Sequence, residues 1–219
     1  MSRFWRHNGL SLALFVMFAV TLLGQSLVGH RHENQEREDH GKPAQSWAAY
    51  VASPAFLEVT MENWESEFLQ MAVYVLLTVF LFQKGSSESK DPEGKEEVDR
   101  QPDPNRKGAP WPVRKGGVVL ALYRNSLGLA LALLFLVSFV LHAIGGAGEY
   151  NEEQATHGGT PVSVLEYLGT SQFWFESLQN WQSEFLAIFT MVVLSIFLRQ
   201  HGSPESKPVD AANDETGTG

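Results

Sequence analysis

The sequence predicts an all-α membrane protein with four transmembrane helices, arranged as two tandem, parallel-repeat helical hairpins with short interfacial helices on the outer side. Three observations carry the prediction. Four strongly apolar runs long enough to cross a bilayer alternate with polar stretches. The stretch Asn63-Trp64-Glu65-Ser66-Glu67-Phe68-Leu69 returns as Asn180-Trp181-Gln182-Ser183-Glu184-Phe185-Leu186, with only its third position changed. Lysine and arginine gather at the N-terminus and in the central linker. The mean hydropathy of −0.12 hides this design, because long polar segments dilute the apolar ones.

The N-terminal basic segment, with Arg3 and Arg6, precedes a first apolar run from Gly9 to Val28, for which Asn8 is suited as an N-cap. A signal peptide shares the pattern of basic start and apolar run, but no small-x-small cleavage site follows, and the second copy of the run lies mid-chain. A polar stretch leads to Trp47, Tyr50 and Val51, spaced for a short interfacial helix. Ser53-Pro54 is a helix-start signal, and nothing breaks the helix before Gln83; Gly85 is the expected stop. The second span covers about Trp64 to Phe82.

The linker, 84–115, cannot bury a core and is expected to be mobile. Gly116 to Arg124 reads as a short interfacial helix, Ser126 to Ile144 as the third span, and Gly145-Gly146-Ala147-Gly148 as a flexible exit. A patch with Val164, Tyr167 and Leu168 follows Ser163, and the fourth span runs from Trp181 to Leu198. The domains are therefore a first hairpin, 1–83, the linker, a second hairpin, 116–201, and a tail, 202–219, expected without fixed structure.

A shift of 117 positions aligns residues 8–90 with the second half without a gap, and roughly a third of the positions match. Polar matches between the spans, such as His40-Gly41 with His157-Gly158, cannot come from apolar composition. Two spans per repeat make the repeats parallel, unlike the inverted repeats of many transporters. The linker's cations, among them Lys84, Lys90, Lys95, Arg114 and Lys115, and the absence of any from His142 to Leu198 favour cytoplasmic termini and linker. Arg31, Arg37 and Lys42 in the first outer loop are a mild counter-signal.

Several motifs together give the chain a family likeness: Asn8-Gly9-Leu10-Ser11-Leu12, both Asn-Trp-x-Ser-Glu-Phe-Leu copies, Ala109-Pro110-Trp111-Pro112-Val113-Arg114, Tyr150-Asn151-Glu152-Glu153-Gln154 and Gly202-Ser203-Pro204-Glu205-Ser206-Lys207-Pro208. The chain resembles an uncharacterised family of bacterial integral membrane proteins, a family of domains of unknown function. The resemblance implies a multi-pass protein of the bacterial inner membrane and assigns no activity.

The functional candidates are few. Asn63, Glu67, Asn180 and Glu184 form a candidate polar cluster, because parallel repeats put both carboxylates at one depth, where a shared proton or a cation could be held. The bland alternative is a wet headgroup site beside tryptophan anchors. Trp47, Trp64, Trp174 and Trp181 flank spans as interfacial anchors. Glu36 with His40, and Glu153 with His157, have metal-ligand spacing if helical, but each pair offers too few ligands, and loop histidines are more often plain surface residues. Gly128 and Ala132 give a small-x-x-x-small spacing for close helix approach.

The chain lacks cysteine, a phosphate loop and a nucleophile–base set, and its net charge of −9 gives no reason to expect nucleic acid. The expectation is a non-enzymatic structural or interaction protein of the envelope, without cofactor, in contact with lipid and self-associating; the alternative is a small-solute or ion pathway between the repeats.

Overall fold

The computed structural model describes residues 3–94 and 96–217; Lys95, counted above with the linker's cations, lies outside the described residues. Among the described residues the chain is helical throughout, with no strand. The elements are α1 (Arg3–Asp39), α2 (Trp47–Val51), α3 (Pro54–Phe80), a 3-10 turn (Glu97–Asp99), α4 (Trp111–Lys115), α5 (Gly117–Arg124), α6 (Ser126–Thr156), α7 (Val164–Tyr167) and α8 (Ser171–Phe197). Three of them, α1, α6 and α8, are long and apolar enough to cross a membrane. Helix α3 equals α8 in length, at 27 residues, but its first half carries Glu58, Glu62, Glu65 and Glu67.

Four boundaries differ from the sequence reading, each for a local reason. Helix α1 does not begin at Gly9. Asn8 lies inside it, and its side chain donates to the Phe4 carbonyl (3.1 Å) instead of capping. Nor does α1 end near Val28. It continues to Asp39 through a charged stretch supported by i,i+4 pairs, His32 with Glu36 (3.5 Å) and Arg37 with Glu33 (3.7 Å). Helix α6 likewise runs through the glycines expected to form a flexible exit. These glycines are helical and serve packing: a Cβ at Gly145 would lie 2.6 Å from the Glu58 backbone nitrogen, and one at Gly148 2.6 Å from the Pro54 ring. Helix α3 stops at Phe80, ahead of Gly85, because the Ser89 hydroxyl takes the Gln83 N–H (2.8 Å) and turns the chain early.

The serine capping signals are met. Ser46 caps α2 through Ala49 N–H, Ser53 accepts from Phe56 N–H at the start of α3, and Ser163 closes a capping box with Glu166 at α7. Helix α5 falls where an interfacial helix was expected, while α4 was not foreseen.

The chain divides into two compact units. The first comprises Met1–Met61 and Leu141–Thr170. Its two segments share a local design. At the polar end of α1, the Asn34 side chain staples the backbone of Gln45, accepting its N–H (2.8 Å) and donating to its carbonyl (3.0 Å). At the polar end of α6, Asn151 does the same to Val162 (2.7 and 2.9 Å). Tyr50 presses on Gly29, and Tyr167 presses on Gly146, so closely that a Cβ at either glycine would meet the ring. Both tyrosines are buried.

The second unit comprises Glu62–Val140 and Ser171–Gly219. Phe139 and Phe173 pack edge to face at 5.3 Å, and Gly128 faces the Leu76 side chain. Beyond the helices, the Ser86 and Ser195 hydroxyls share a buried hydrogen bond (2.8 Å). The tail, whose composition suggests no fixed structure, forms turns around Lys207. The lysine Nζ donates to the carbonyls of Ala212, Asn213 and Glu215 (3.0, 3.1 and 2.8 Å).

Candidate functional site

The polar ends of α1 and α6 line a cavity of about 350 Å³ in the first unit. Helix α1 contributes Glu33, Glu36, Arg37 and, just past its end, His40; α6 contributes Glu149, Glu152, Glu153 and Thr156, followed by His157. On each helix the contributing positions fall at i, i+3, i+4 and i+7, one face of a 3.6-residue repeat. Lys42 completes the lining from the loop after α1. These faces exist only because both helices continue past their apolar segments.

The side chains are held from behind. His40 Nδ1 lies 2.8 Å from the Glu36 carbonyl and His157 Nδ1 3.1 Å from the Glu153 carbonyl. A carbonyl only accepts, so each Nδ1 is the donor in these contacts. Arg37 is committed twice, to Glu33 (3.7 Å) and to the Pro43 carbonyl (3.0 Å).

Glu149 is the most perturbed of the lining groups. The apolar part of α6 closes at Ala147, and Glu149 stands just beyond it, half-buried. Burial, and then the charges of Glu33, Glu152, Glu36 and Glu153, push its carboxyl up to about 7. Burial, Glu33 and Glu149 likewise raise the Tyr50 hydroxyl above its ordinary value. A second cavity, of about 370 Å³, shares Glu33, Glu36 and Glu149 with the first and extends to Gln25, Tyr50 and Glu58. The Tyr167 hydroxyl donates to Glu58 (3.4 Å), and the fully buried His142 offers a ring nitrogen within 4.8 Å of the Glu58 carboxylate.

Glu36, His40, Glu153 and His157, the four residues with metal-ligand spacing, thus share one cavity. Among the described residues, no three of their ligand atoms converge closely enough to hold an ion.

The polar cluster of the second unit has a different arrangement from the symmetric one expected. Asn180 donates its side-chain amide to Glu62 and to the Glu176 carbonyl (3.2 Å). Gln70 donates to the backbone carbonyl of Glu184 (2.8 Å). Glu67 is exposed, near enough to Glu184 for the two charges to interact, and Asn63 is exposed as well. The buried carboxylate is Glu65, which accepts the Trp181 indole N–H at 3.0 Å.

A family model described as a domain of unknown function (DUF6766) matches residues 1–218. The chain belongs to that family. No curated protein and no solved structure matches it.

In this DUF6766 chain the four flanking tryptophans divide by use. Trp47 and Trp174 keep much of their surface exposed, and Trp47 also donates to the Ser26 hydroxyl (3.3 Å). Trp64 is half-buried, and Trp181 turns its indole nitrogen inward to Glu65. Sequence reading missed Glu65, Glu149 and His142. Glu149 was signalled by its i, i+3, i+4 spacing with Glu152 and Glu153, once the helix is known to extend so far. Glu65 was signalled by being the one motif position at which the copies differ.

Proposed function

We propose that this chain is a four-span protein of the bacterial inner membrane, with both termini and the linker in the cytoplasm. In this reading it serves as a non-enzymatic structural or interaction protein of the envelope, with lipid and further copies of itself as partners. The observation that carries the reading is the Glu65–Trp181 contact. A carboxylate in α3 that could have lined a path is instead buried and given an indole donor. Glu62 is used the same way by Asn180. Polar groups spent on internal hydrogen bonds hold helices together and leave little to escort a solute.

The same pairing supports α3 as the fourth span. A carboxylate at mid-span costs about 2.5–3.5 kcal/mol on insertion scales, less near the mouth, and a satisfied hydrogen bond offsets part of that cost. At 27 residues α3 is about 40 Å long, enough to cross. The recurrence of local geometry at a spacing of 117 supports a tandem origin: Asn34 with Asn151, Gly29–Tyr50 with Gly146–Tyr167, and the Gln83–Ser89 bond with Gln200–Ser206.

The nearness of Glu67 to Glu184 favours a second reading, an ion or small-solute pathway with a carboxylate mouth. Reconstitution into sealed liposomes with sodium, potassium and proton indicators separates the two. The structural reading expects flux no greater than in empty vesicles. Flux that is lost when Glu67 and Glu184 are both changed to Gln would establish the pathway instead.

A further inference from the structure

We propose that the rim of the first unit is a proton-operated clasp: a proton taken up at Glu149 draws the polar ends of α1 and α6 together, and its loss drives those ends apart. The inference stands on the cavity between the two helix ends and needs neither the topology nor the interaction role proposed above.

The charge balance of the cavity is one-sided. Five carboxylates face two fixed cations, Arg37 and Lys42, so three negative charges stand in excess when every acid is ionised and both imidazoles are neutral. Arg37 is already committed to Glu33 and to the loop carbonyl of Pro43. From α1, Glu33 and Glu36 face Glu149; from α6 itself, Glu152 and Glu153 do. Tyr50 approaches from α2, and His40 and His157 stand at the rim. Protonating Glu149 reduces that excess from three to two and removes the charge that Glu33, Glu36, Glu152 and Glu153 oppose.

Two features make this a device and not an ordinary solvated acidic face. Glu149 lines both cavities but is half-buried, so its carboxyl is partly withdrawn from the water that would otherwise screen it. Each helix end is also stapled to its own return loop, by Asn34 and by Asn151, so each can respond as a stiff lever. The carboxyl's rise to about 7 places the change near neutral pH. The sign follows. A raised carboxyl stabilises the closed rim below its ordinary value, and that contribution is lost as pH climbs through about 7.

The chain has no cysteine, so two labels can be placed cleanly on the exposed residues Gln35 and Ala155. Spin labels on Gln35→Cys and Ala155→Cys in the full chain, held in lipid nanodiscs, report the separation of the two helix ends. Between about pH 5.5 and about pH 8.5 the distance distribution should lengthen and broaden, with a midpoint near 7. Adding Glu149→Gln should shrink that response or shift its midpoint. If that variant does not fold, Glu153→Gln, which also relieves the repulsion, should shift the midpoint instead. A separation constant across the range overturns the proposal, as does a response that every folded variant reproduces unchanged.

Discussion

At the scale of single residues, the contact between two copies of a motif depends on where the copies differ. A donor must meet an acceptor, so two ionised carboxylates serve each other poorly. Glu62 and Glu65 in the first copy stand opposite Gln179 and Gln182 in the second. Glu65 is buried against Trp181, while Gln182 is exposed. The sequence drew attention to Glu67 and Glu184 because they are the same in both copies, and it passed over Glu65 for the opposite reason. Glu65→Gln keeps an acceptor oxygen and should leave thermal stability nearly unchanged. Glu65→Ala should cost about 1–3 kcal/mol, read from unfolding in detergent, by leaving the Trp181 N–H without this partner. Equal losses from both substitutions would show that charge, not the hydrogen bond, matters there. Glu149→Gln tests the other perturbed carboxyl. The ionised acid is the unfavoured form in the folded rim, so the amide should raise the melting temperature at about pH 8 and do little at about pH 4. With solvent screening of a half-buried group allowed for, the gain should be roughly 2–5 °C.

At the scale of elements, what the sequence revealed and what it hid divide by the range of the forces involved. Caps act within four residues, so Ser46, Ser53 and Ser163 announced α2, α3 and α7 correctly. The polar extensions of α1 and α6 were hidden because charged residues look like loop. They are helical because i,i+4 pairs and the two asparagine staples stabilise the last turns, and a staple spanning eleven residues has no local signature. The glycine-rich run after Ile144 misled for a related reason, since glycine marks both flexibility and close packing. Asn34→Ala should speed amide hydrogen exchange in residues 41–46, and Asn151→Ala should do so in 158–163, each leaving the other loop protected. Faster exchange in both loops from either substitution would show that the staples act jointly. Gly145→Ala should destabilise by about 1–3 kcal/mol, because its methyl would meet the Glu58 backbone, which cannot rotate aside.

At the scale of the whole molecule, the number of spans decides on which side every loop lies, and α3 is the deciding element. Among the described residues, three helices meet the length and apolarity needed to cross, and an odd number would put the two termini on opposite sides. The linker's cations would then lie across the membrane from Arg3 and Arg6, against the bias that sets orientation. With α3 crossing, the basic N-terminus and linker share a side, and the segment from Gly145 to Thr170, which has no lysine or arginine, takes the other. The two arrangements make opposite predictions at every exposed loop. Single substitutions Asn105→Cys, Thr160→Cys and Asp210→Cys in the cysteine-free chain can be probed in intact cells with a membrane-impermeant maleimide. If α3 crosses and the N-terminus is cytoplasmic, only Thr160→Cys reacts. If α3 lies outside the bilayer, the pattern inverts: Asn105→Cys and Asp210→Cys react, and Thr160→Cys is shielded. The inverted pattern would also separate the two Asn-Trp-x-Ser-Glu-Phe-Leu copies in depth. The fourth span we propose accommodates the hydrogen bond between Glu65 and Trp181, which the inverted pattern would disfavour.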